Sequence, residues 1–161
     1  MQRFLLSFFL GIALFFGVRV LIRALASDET KIRRVVSEMA DGFNATRMNP
    51  ILDGLAQDFL EETWGADRQM VRQGLAAMFF ERKDEVTKGF LYRLRIPEEQ
   101  FRVTLDGDNA KLELVAEFDE LHGEQTKLRW KASIHADATK TPDGWKIRRA
   151  KSDSLEGERL R

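Results

Sequence analysis

The hydrophobic positions that follow residue 27 first recur with the spacing of amphipathic helices. Ser27 can cap a first helix, whose apolar side chains lie three or four residues apart at Ile32, Val35, Val36, Met39 and Phe43. Asn49 followed by Pro50 marks a second start, with an apolar stripe at Ile51, Leu52, Leu55, Phe59 and Leu60. Asp67 can cap a third helix, with its stripe at Met70, Val71, Leu75, Met78 and Phe79. The pattern therefore predicts three consecutive helices that need a shared surface to cover.

After Gly89 the hydrophobic period changes from 3.6 to 2, which is typical of half-exposed strands. One alternating run is interrupted at Pro97, and the next ends at Asp106–Gly107, a dipeptide that favours a hairpin. Two long strands follow, with their apolar faces at Ala110, Leu112, Leu114, Ala116 and Phe118, and at Leu128, Trp130, Ala132, Ile134 and Ala136. Since each has one apolar face, the sequence predicts an α+β fold, in which three N-terminal helices pack on one face of a curved antiparallel sheet.

Residues 1–26 differ in composition from the rest of the chain and indicate a targeting segment. An uncharged run from Phe4 to Val18 follows Arg3, and Ala24–Leu25–Ala26 fits the cleavage site of a signal peptide. As a helix the uncharged run would reach roughly 22 Å, at about 1.5 Å per residue, which is shorter than a hydrocarbon core of about 30 Å. These features favour a signal peptide that is cleaved near Ala26.

The same segment also suits a membrane anchor. A hydrophobic helix over residues 4–26 would be long enough to span a bilayer, provided that Arg19 and Arg23 extend to the interface. A signal peptide and an anchor both stay open, as does the side of the membrane on which the domain lies. Either alternative predicts a protein of the cell envelope.

The charge distribution and the rare residue types narrow the function classes. All 26 acidic side chains follow residue 26, together with all but three of the 26 basic ones, so the remainder is slightly acidic. Nucleic-acid binding normally needs a strongly basic face, and we expect no such partner. The chain has no cysteine, which removes disulfides and thiolate chemistry. His122 and His135 are far apart in sequence, and we predict no metal site and no cofactor.

Three stretches carry a resemblance to a known fold. They are Val36–Pro50, which leads from the first helix into the second, Asp106–Leu112 at the hairpin, and Asp143–Ile147 at the last strand. They resemble the corresponding parts of the nuclear transport factor 2-like superfamily, which has a cone-shaped α+β fold. The resemblance implies a domain over residues 27–157, with residues 158–161 as a tail. That superfamily contains isomerases, dehydratases, epoxide hydrolases and polyketide cyclases, transport and targeting factors, and accessory domains, so the resemblance implies a fold and leaves the function open.

Enzymes of this superfamily place a carboxylate, and often a histidine, inside the cone. The inward positions of the predicted strands are apolar, and four residues remain as candidates for a pocket lining: Asp58, Tyr92, Trp130 and Arg149. Asp58 lies one position from the apolar stripe of the second helix. Arg149 would point inward if the last strand alternates strictly, whereas a β-bulge would turn it outward. We assign no residue as catalytic.

Two function classes therefore stay open. One is a non-catalytic binding or scaffold module of the cell envelope, with an unknown ligand or partner. The other is a hydrolase, isomerase or cyclase that acts on a small apolar substrate in the cone, with Asp58 and Tyr92 as its polar groups. A cavity larger than about 300 Å³ with a carboxylate on its wall would favour the enzyme. The open face of the sheet, where Val115 interrupts a charged row, also predicts a homodimer.

The targeting segment generates the first testable prediction. Full-length protein is expected in the membrane fraction or outside the cytoplasm, because residues 1–26 are uncharged over most of their length. A chain that begins at Ser27 should stay soluble in the cytosol. Cell fractionation with immunoblotting checks both forms, and the intact mass shows whether residues 1–26 are removed. The same soluble distribution of the two forms would contradict the prediction.

Overall fold

A computed structural model describes residues 27–160, and the predicted targeting segment lies outside this range. The helices and strands, in chain order, are α1 (Asp28–Asn44), α2 (Met48–Gly54), β1 (Leu55–Glu61), β2 (Ala66–Asp67), α3 (Arg68–Glu81), β3 (Tyr92–Arg95), a 3₁₀ turn (Glu98–Gln100), β4 (Arg102–Asp106), β5 (Asn109–His122), β6 (Gln125–Thr141) and β7 (Gly144–Gly157). Over residues 27–160, no helix has both the length and the apolar character needed to cross a bilayer.

Two of the predicted helix starts are confirmed by their caps. The Ser27 hydroxyl accepts a hydrogen bond from the Thr30 backbone N–H at 3.2 Å, at the start of α1. The Asp67 carboxylate accepts one from the Met70 backbone N–H at 2.8 Å, at the start of α3. Each bond satisfies a donor that the first helical turn leaves unpaired.

The second predicted helix is much shorter than expected, and this part of the prediction is wrong. Helix α2 ends at Gly54. Leu55, Phe59 and Leu60, which the sequence pattern assigns to the apolar side of this helix, lie in β1 instead. Gly54 lies so close to Met39 of α1 that a Cβ atom would overlap the Met39 side chain. Leu55 and Phe59 are both buried. Residues four positions apart lie on the same face of a strand as well as on one side of a helix, so this spacing alone did not distinguish the two.

The sheet is mixed, which corrects the expectation of a purely antiparallel one. Its strand order is β2-β1-β7-β6-β5-β3, with β4 also paired to β5. Strand β1 runs parallel to β7, with Leu60 opposite Arg149. Strands β1 and β7 are far apart in the sequence and are not joined by a hairpin turn. They are therefore free to pair in the parallel direction.

Strands β4, β5 and β6 each pair antiparallel with the next strand, as predicted for a meander, whereas β3 pairs with β5 instead of β4. Asp106 pairs with Asn109 across the β4–β5 hairpin, where Gly107 adopts a positive φ of 58°. Strands β3 and β4 both pair with β5, β4 along its first part and β3 near its end. Pro97 and the 3₁₀ turn separate β3 from β4, as the interruption at Pro97 predicts.

The core lies between the helices and one face of the sheet. Its main cluster comprises Ile32, Val36, Leu52, Leu55, Phe59, Phe101, Ala110, Leu112, Leu114, Ala116, Ala138, Trp145 and Ile147. A second, aromatic cluster surrounds Phe43, whose ring centre lies 5.3 Å from Phe90, 5.7 Å from Phe118 and 5.8 Å from Phe79. The described residues of both clusters lie between Ile32 and Leu160, and a chain that begins at Ser27 retains all of them.

The two faces of β6 generate the second prediction. Trp130 is 7% exposed, stacks on Phe118 with ring centres 5.0 Å apart, and donates a hydrogen bond to the Ser154 hydroxyl at 2.8 Å. Trp130→Ala should lower the free energy of unfolding by about 3–5 kcal/mol. His135 is exposed on the opposite face. His135→Ala should therefore change the free energy of unfolding by less than about 0.5 kcal/mol. Urea denaturation measures both, and similar losses would show that the faces are assigned wrongly.

Candidate functional site

An apolar cavity of about 410 Å³ opens between the helices and the sheet. Its lining residues are Val36, Met39, Ala40, Phe43, Ile51, Leu55, Phe59, Trp64, Val71, Leu75, Met78, Leu94, Ile96, Leu112, Leu114, Ala116, Phe118, Trp130, Ile134, Ala136, Ile147, Ala150, Arg159 and Leu160. Among these residues there is no carboxylate and no histidine. The volume falls within the range of small-molecule sites, which is about 300–1,000 Å³.

Small side chains in the middle of the sheet create this space. Ala136 of β6 lies opposite Ala150 of β7 and Leu112 of β5, so two alanines stand side by side on the inward face. Ala116 of β5 adds a third small residue on the cavity wall. Larger apolar residues at these positions would fill the space under the helices, as they do in an ordinary core.

The rim of the cavity is formed partly by residues 159 and 160, which lie in the stretch predicted as a tail. Gly157 has a φ of 73°, and a Cβ atom there would collide with the backbone of Arg129. Strand β7 ends at this glycine, and Arg159 and Leu160 then join the cavity lining. Two residues of the predicted tail thus contact the cavity.

Arg159 is the one charged side chain among the described lining residues. Its guanidinium carbon lies 4.3 Å from the ring centre of Trp64 and 5.9 Å from that of Trp130. One guanidinium nitrogen, Nη2, donates a hydrogen bond to the Ser152 carbonyl oxygen at 3.3 Å. A cation is thus held between two indole rings at the edge of an apolar space.

The four predicted lining residues are not brought together. Trp130 lines the cavity, as predicted. Arg149 points outward and pairs with Glu62 at 3.1 Å, because a register shift in the β6–β7 pairing breaks the alternation of β7 after Ile147. Asp58 is 58% exposed and pairs with Arg148 at 2.7 Å, so it lies outside the cavity.

Tyr92 also lies away from the cavity. Its side chain is buried in the aromatic cluster, with its ring centre 5.9 Å from that of Phe90. The alternation of β3 directs it to the helical side of the sheet, as predicted. The cluster around Phe43 fills that part of the interior, and Tyr92 does not reach the cavity wall.

Two carboxylates are buried elsewhere, and both accept hydrogen bonds from neighbouring donors. Asp84 is 1% exposed and accepts hydrogen bonds from the backbone N–H groups of Thr87 at 2.6 Å and Gly123 at 3.4 Å. Hydrogen bonds from the side chain and backbone of Thr87 hold the pKa of Asp84 below its ordinary value. Asp119 accepts two hydrogen bonds from Arg95, at 2.6 and 3.1 Å. These contacts order a loop and a sheet edge rather than preparing an acid for proton transfer.

Over residues 27–160, no group of histidine and acidic side chains has the arrangement needed to hold a metal ion.

The sequence patterns did not indicate Trp64 and Arg159 as parts of the site. The available signal was Gly157, a glycine that ends a strand shortly before Arg159 and Leu160. Trp64 could have been noted as one of only three tryptophans in the chain.

Comparison with known proteins identifies the fold. No family model matches the sequence, and no curated protein matches it. A nuclear transport factor 2-like protein with a cystatin-like fold from Novosphingobium aromaticivorans is 14% identical, with a TM-score of 0.63 over 89% of this chain and 90% of that one. The chain has the nuclear transport factor 2-like fold.

Two further solved structures of this fold type show how widely the names of its members differ. One, provisionally assigned as a scytalone dehydratase from the same genus and species, is 10% identical and has a TM-score of 0.66, over 83% of this chain and 89% of that one. Another, a protein of unknown function with a cystatin-like fold from Nostoc punctiforme, is 15% identical with a TM-score of 0.62, over 78% and 90%. At these identities the nuclear transport factor 2-like fold says nothing specific about activity.

Proposed function

We propose that this domain is a non-catalytic binding module of the cell envelope, whose cavity takes up a small apolar molecule. The observation that carries the proposal is the wall of the 410 Å³ cavity, which is apolar except for Arg159 at its rim. Transfer of apolar surface from water into such a space is favourable by about 25 cal/mol per Å². A ligand with little polar surface would therefore bind without needing many directed hydrogen bonds.

The alternative of a hydrolase, isomerase or cyclase gains no support from the cavity. Such chemistry needs a general acid or base within hydrogen-bond reach of the substrate. The cavity passes the size criterion but, in the described part of the chain, has no carboxylate on its wall. Asp58, the acid that this alternative invoked, pairs with Arg148 on the outside of the sheet.

The cell-envelope part of the proposal rests on the sequence of residues 1–26. The uncharged run from Phe4 to Val18 supports delivery to the membrane or beyond it. A binding module delivered there would meet apolar small molecules at the membrane surface.

Ligand uptake generates the third prediction. The neutral apolar dye N-phenyl-1-naphthylamine should bind the chain that begins at Ser27 at about one site, with increased dye fluorescence. Ala136→Leu places a larger side chain in the cavity and should weaken dye binding at least about tenfold, because the dye loses space and apolar contact.

The matched control is Ala77→Leu, which adds the same atoms to an exposed position of α3. Its dye affinity should equal that of the original chain. Thermal melting must show that both variants are folded. Equal dye affinity for Ala136→Leu and Ala77→Leu would exclude the cavity as the binding site, and the absence of dye binding to the original chain would contradict the proposed function.

We further propose that the domain forms a homodimer through the open face of its sheet. Val115 is half-buried there, opposite Ser133 on β6, beside an ion-pair chain in which Glu117 contacts Lys131 at 2.9 Å and Arg95 at 3.2 Å. Exposed ion pairs contribute only about 0–1 kcal/mol each, so the interface would depend on its few apolar positions.

The homodimer generates the fourth prediction. Sedimentation velocity of the chain that begins at Ser27 should show a dimer at micromolar concentration. Val115→Lys should shift it to a monomer, because a lysine at the centre of a two-fold interface meets its own copy. Leu105→Lys, at an exposed position on β4, is the control and should leave the dimer intact. A monomer at every concentration of the original chain would exclude this interface.

A further inference from the structure

We propose that the molecule bound in the cavity is a single-chain amphiphile with an anionic head group, which Arg159 binds at the rim. This inference rests on the proposed function, because it names the class of ligand for the same cavity. The apolar chain would lie under the helices, and the head group would lie at the opening beside Arg159. Four features of the described residues support it.

The size of the cavity suits one short chain. A water molecule occupies about 30 Å³ of liquid, so 410 Å³ gives room for roughly a dozen non-hydrogen atoms. A single alkyl chain of about ten carbons fits this volume, whereas a lipid with two long chains does not. The apolar wall offers such a chain contact along its whole length.

The position of Arg159 suits a head group. It is the one charged side chain among the described lining residues, and it lies at the rim with Trp64, which is 54% exposed. An amphiphile that enters chain first therefore leaves its polar end next to the guanidinium. Arginine binds carboxylates and phosphates through two parallel N–H groups, which makes it suited to anions of this shape.

The partners of Arg159 leave it able to bind an anion. Arg95, Arg148 and Arg149 each pair with a carboxylate on the sheet. Arg159, by contrast, contacts two indole rings and one carbonyl oxygen, that of Ser152, and forms no ion pair with a described carboxylate. Contacts with ring faces do not use N–H donors, and a guanidinium has five of them.

The two tryptophans hold this cation at the boundary between the apolar cavity and water. Trp64 and Trp130 lie 4.3 and 5.9 Å from the guanidinium carbon, and both also line the cavity. Indole rings suit such a boundary because they offer apolar faces together with one N–H donor. This arrangement orients Arg159 before a ligand arrives, which lowers the entropy cost of binding.

The experiment compares three probes of equal chain length, dodecanoate, dodecan-1-ol and dodecyltrimethylammonium, below their aggregation limits. Calorimetry and tryptophan fluorescence measure their affinity for the chain that begins at Ser27. We expect dodecanoate to bind at least about tenfold more tightly than dodecan-1-ol, which corresponds to about 1.4 kcal/mol. The cationic probe should bind more weakly than either.

Substitutions at Arg159 identify the group responsible. Arg159→Gln should remove the preference for dodecanoate and leave the affinity for dodecan-1-ol within about twofold. Arg159→Lys keeps the charge without the planar guanidinium and should restore part of the preference. Arg102→Gln removes the same charge at an exposed position outside the cavity lining, and should match the original chain. Melting curves show whether each variant is folded.

The outcomes separate this inference from the proposed function. If dodecan-1-ol and dodecanoate bind equally well, or if Arg159→Gln keeps the preference, the head-group assignment is wrong while the apolar cavity stands. If no probe binds and the neutral dye also fails to bind, both proposals are wrong. If Arg159→Gln weakens the binding of all three probes equally, Arg159 helps to enclose the cavity but does not discriminate between head groups of different charge. The inference is then also overturned.

Discussion

The long strands of this protein do not stay in regular register along their whole length. The β5–β6 pairing shifts between Phe118 and Asp119, and the β6–β7 pairing shifts after Lys131 and again after Asp137. Each irregularity bends a strand and increases its twist. A sheet that curves in this way moves away from helices that cover only one of its faces, and side chains must fill the resulting gap. Alanines at 116, 136 and 150 do not fill it, and the cavity is the consequence.

The same irregularities decide which polar groups reach the interior. The shift after Asp137 turns Arg149 toward Glu62. In β1, the alternation of side chains leaves Phe59 buried while Asp58 stays exposed. A carboxylate inside the cavity would face a large desolvation penalty without a partner there. The paired or hydrogen-bonded positions of Asp84 and Asp119 show where this chain does bury acids. The register shift in β7 and the alternation of β1 thus direct Arg149 and Asp58 away from the cavity.

Residues that follow β7 complete the site, directly after a glycine that ends this strand. Gly157 adopts a positive φ that other residues rarely tolerate, next to the backbone of Arg129. Arg159 then reaches Trp64, which comes from the loop between β1 and β2, and Trp130, which comes from β6. Three segments far apart in sequence meet at one rim. The charge at the opening is therefore a property of the folded chain, and a change at Gly157 would displace it.

Local sequence patterns predict the α+β class, the caps at Ser27 and Asp67, the hairpin at Gly107 and the inward faces of β5 and β6. Each depends on spacing or on turn chemistry between residues close together in the chain, and such local preferences are readable from a pattern. Three other features emerge only in the folded chain: residues 55–61 form a strand beside β7, Arg149 points outward, and Arg159 reaches the cavity rim. Those outcomes depend on strand pairing and register shifts between residues distant in sequence, whose energies no local window contains.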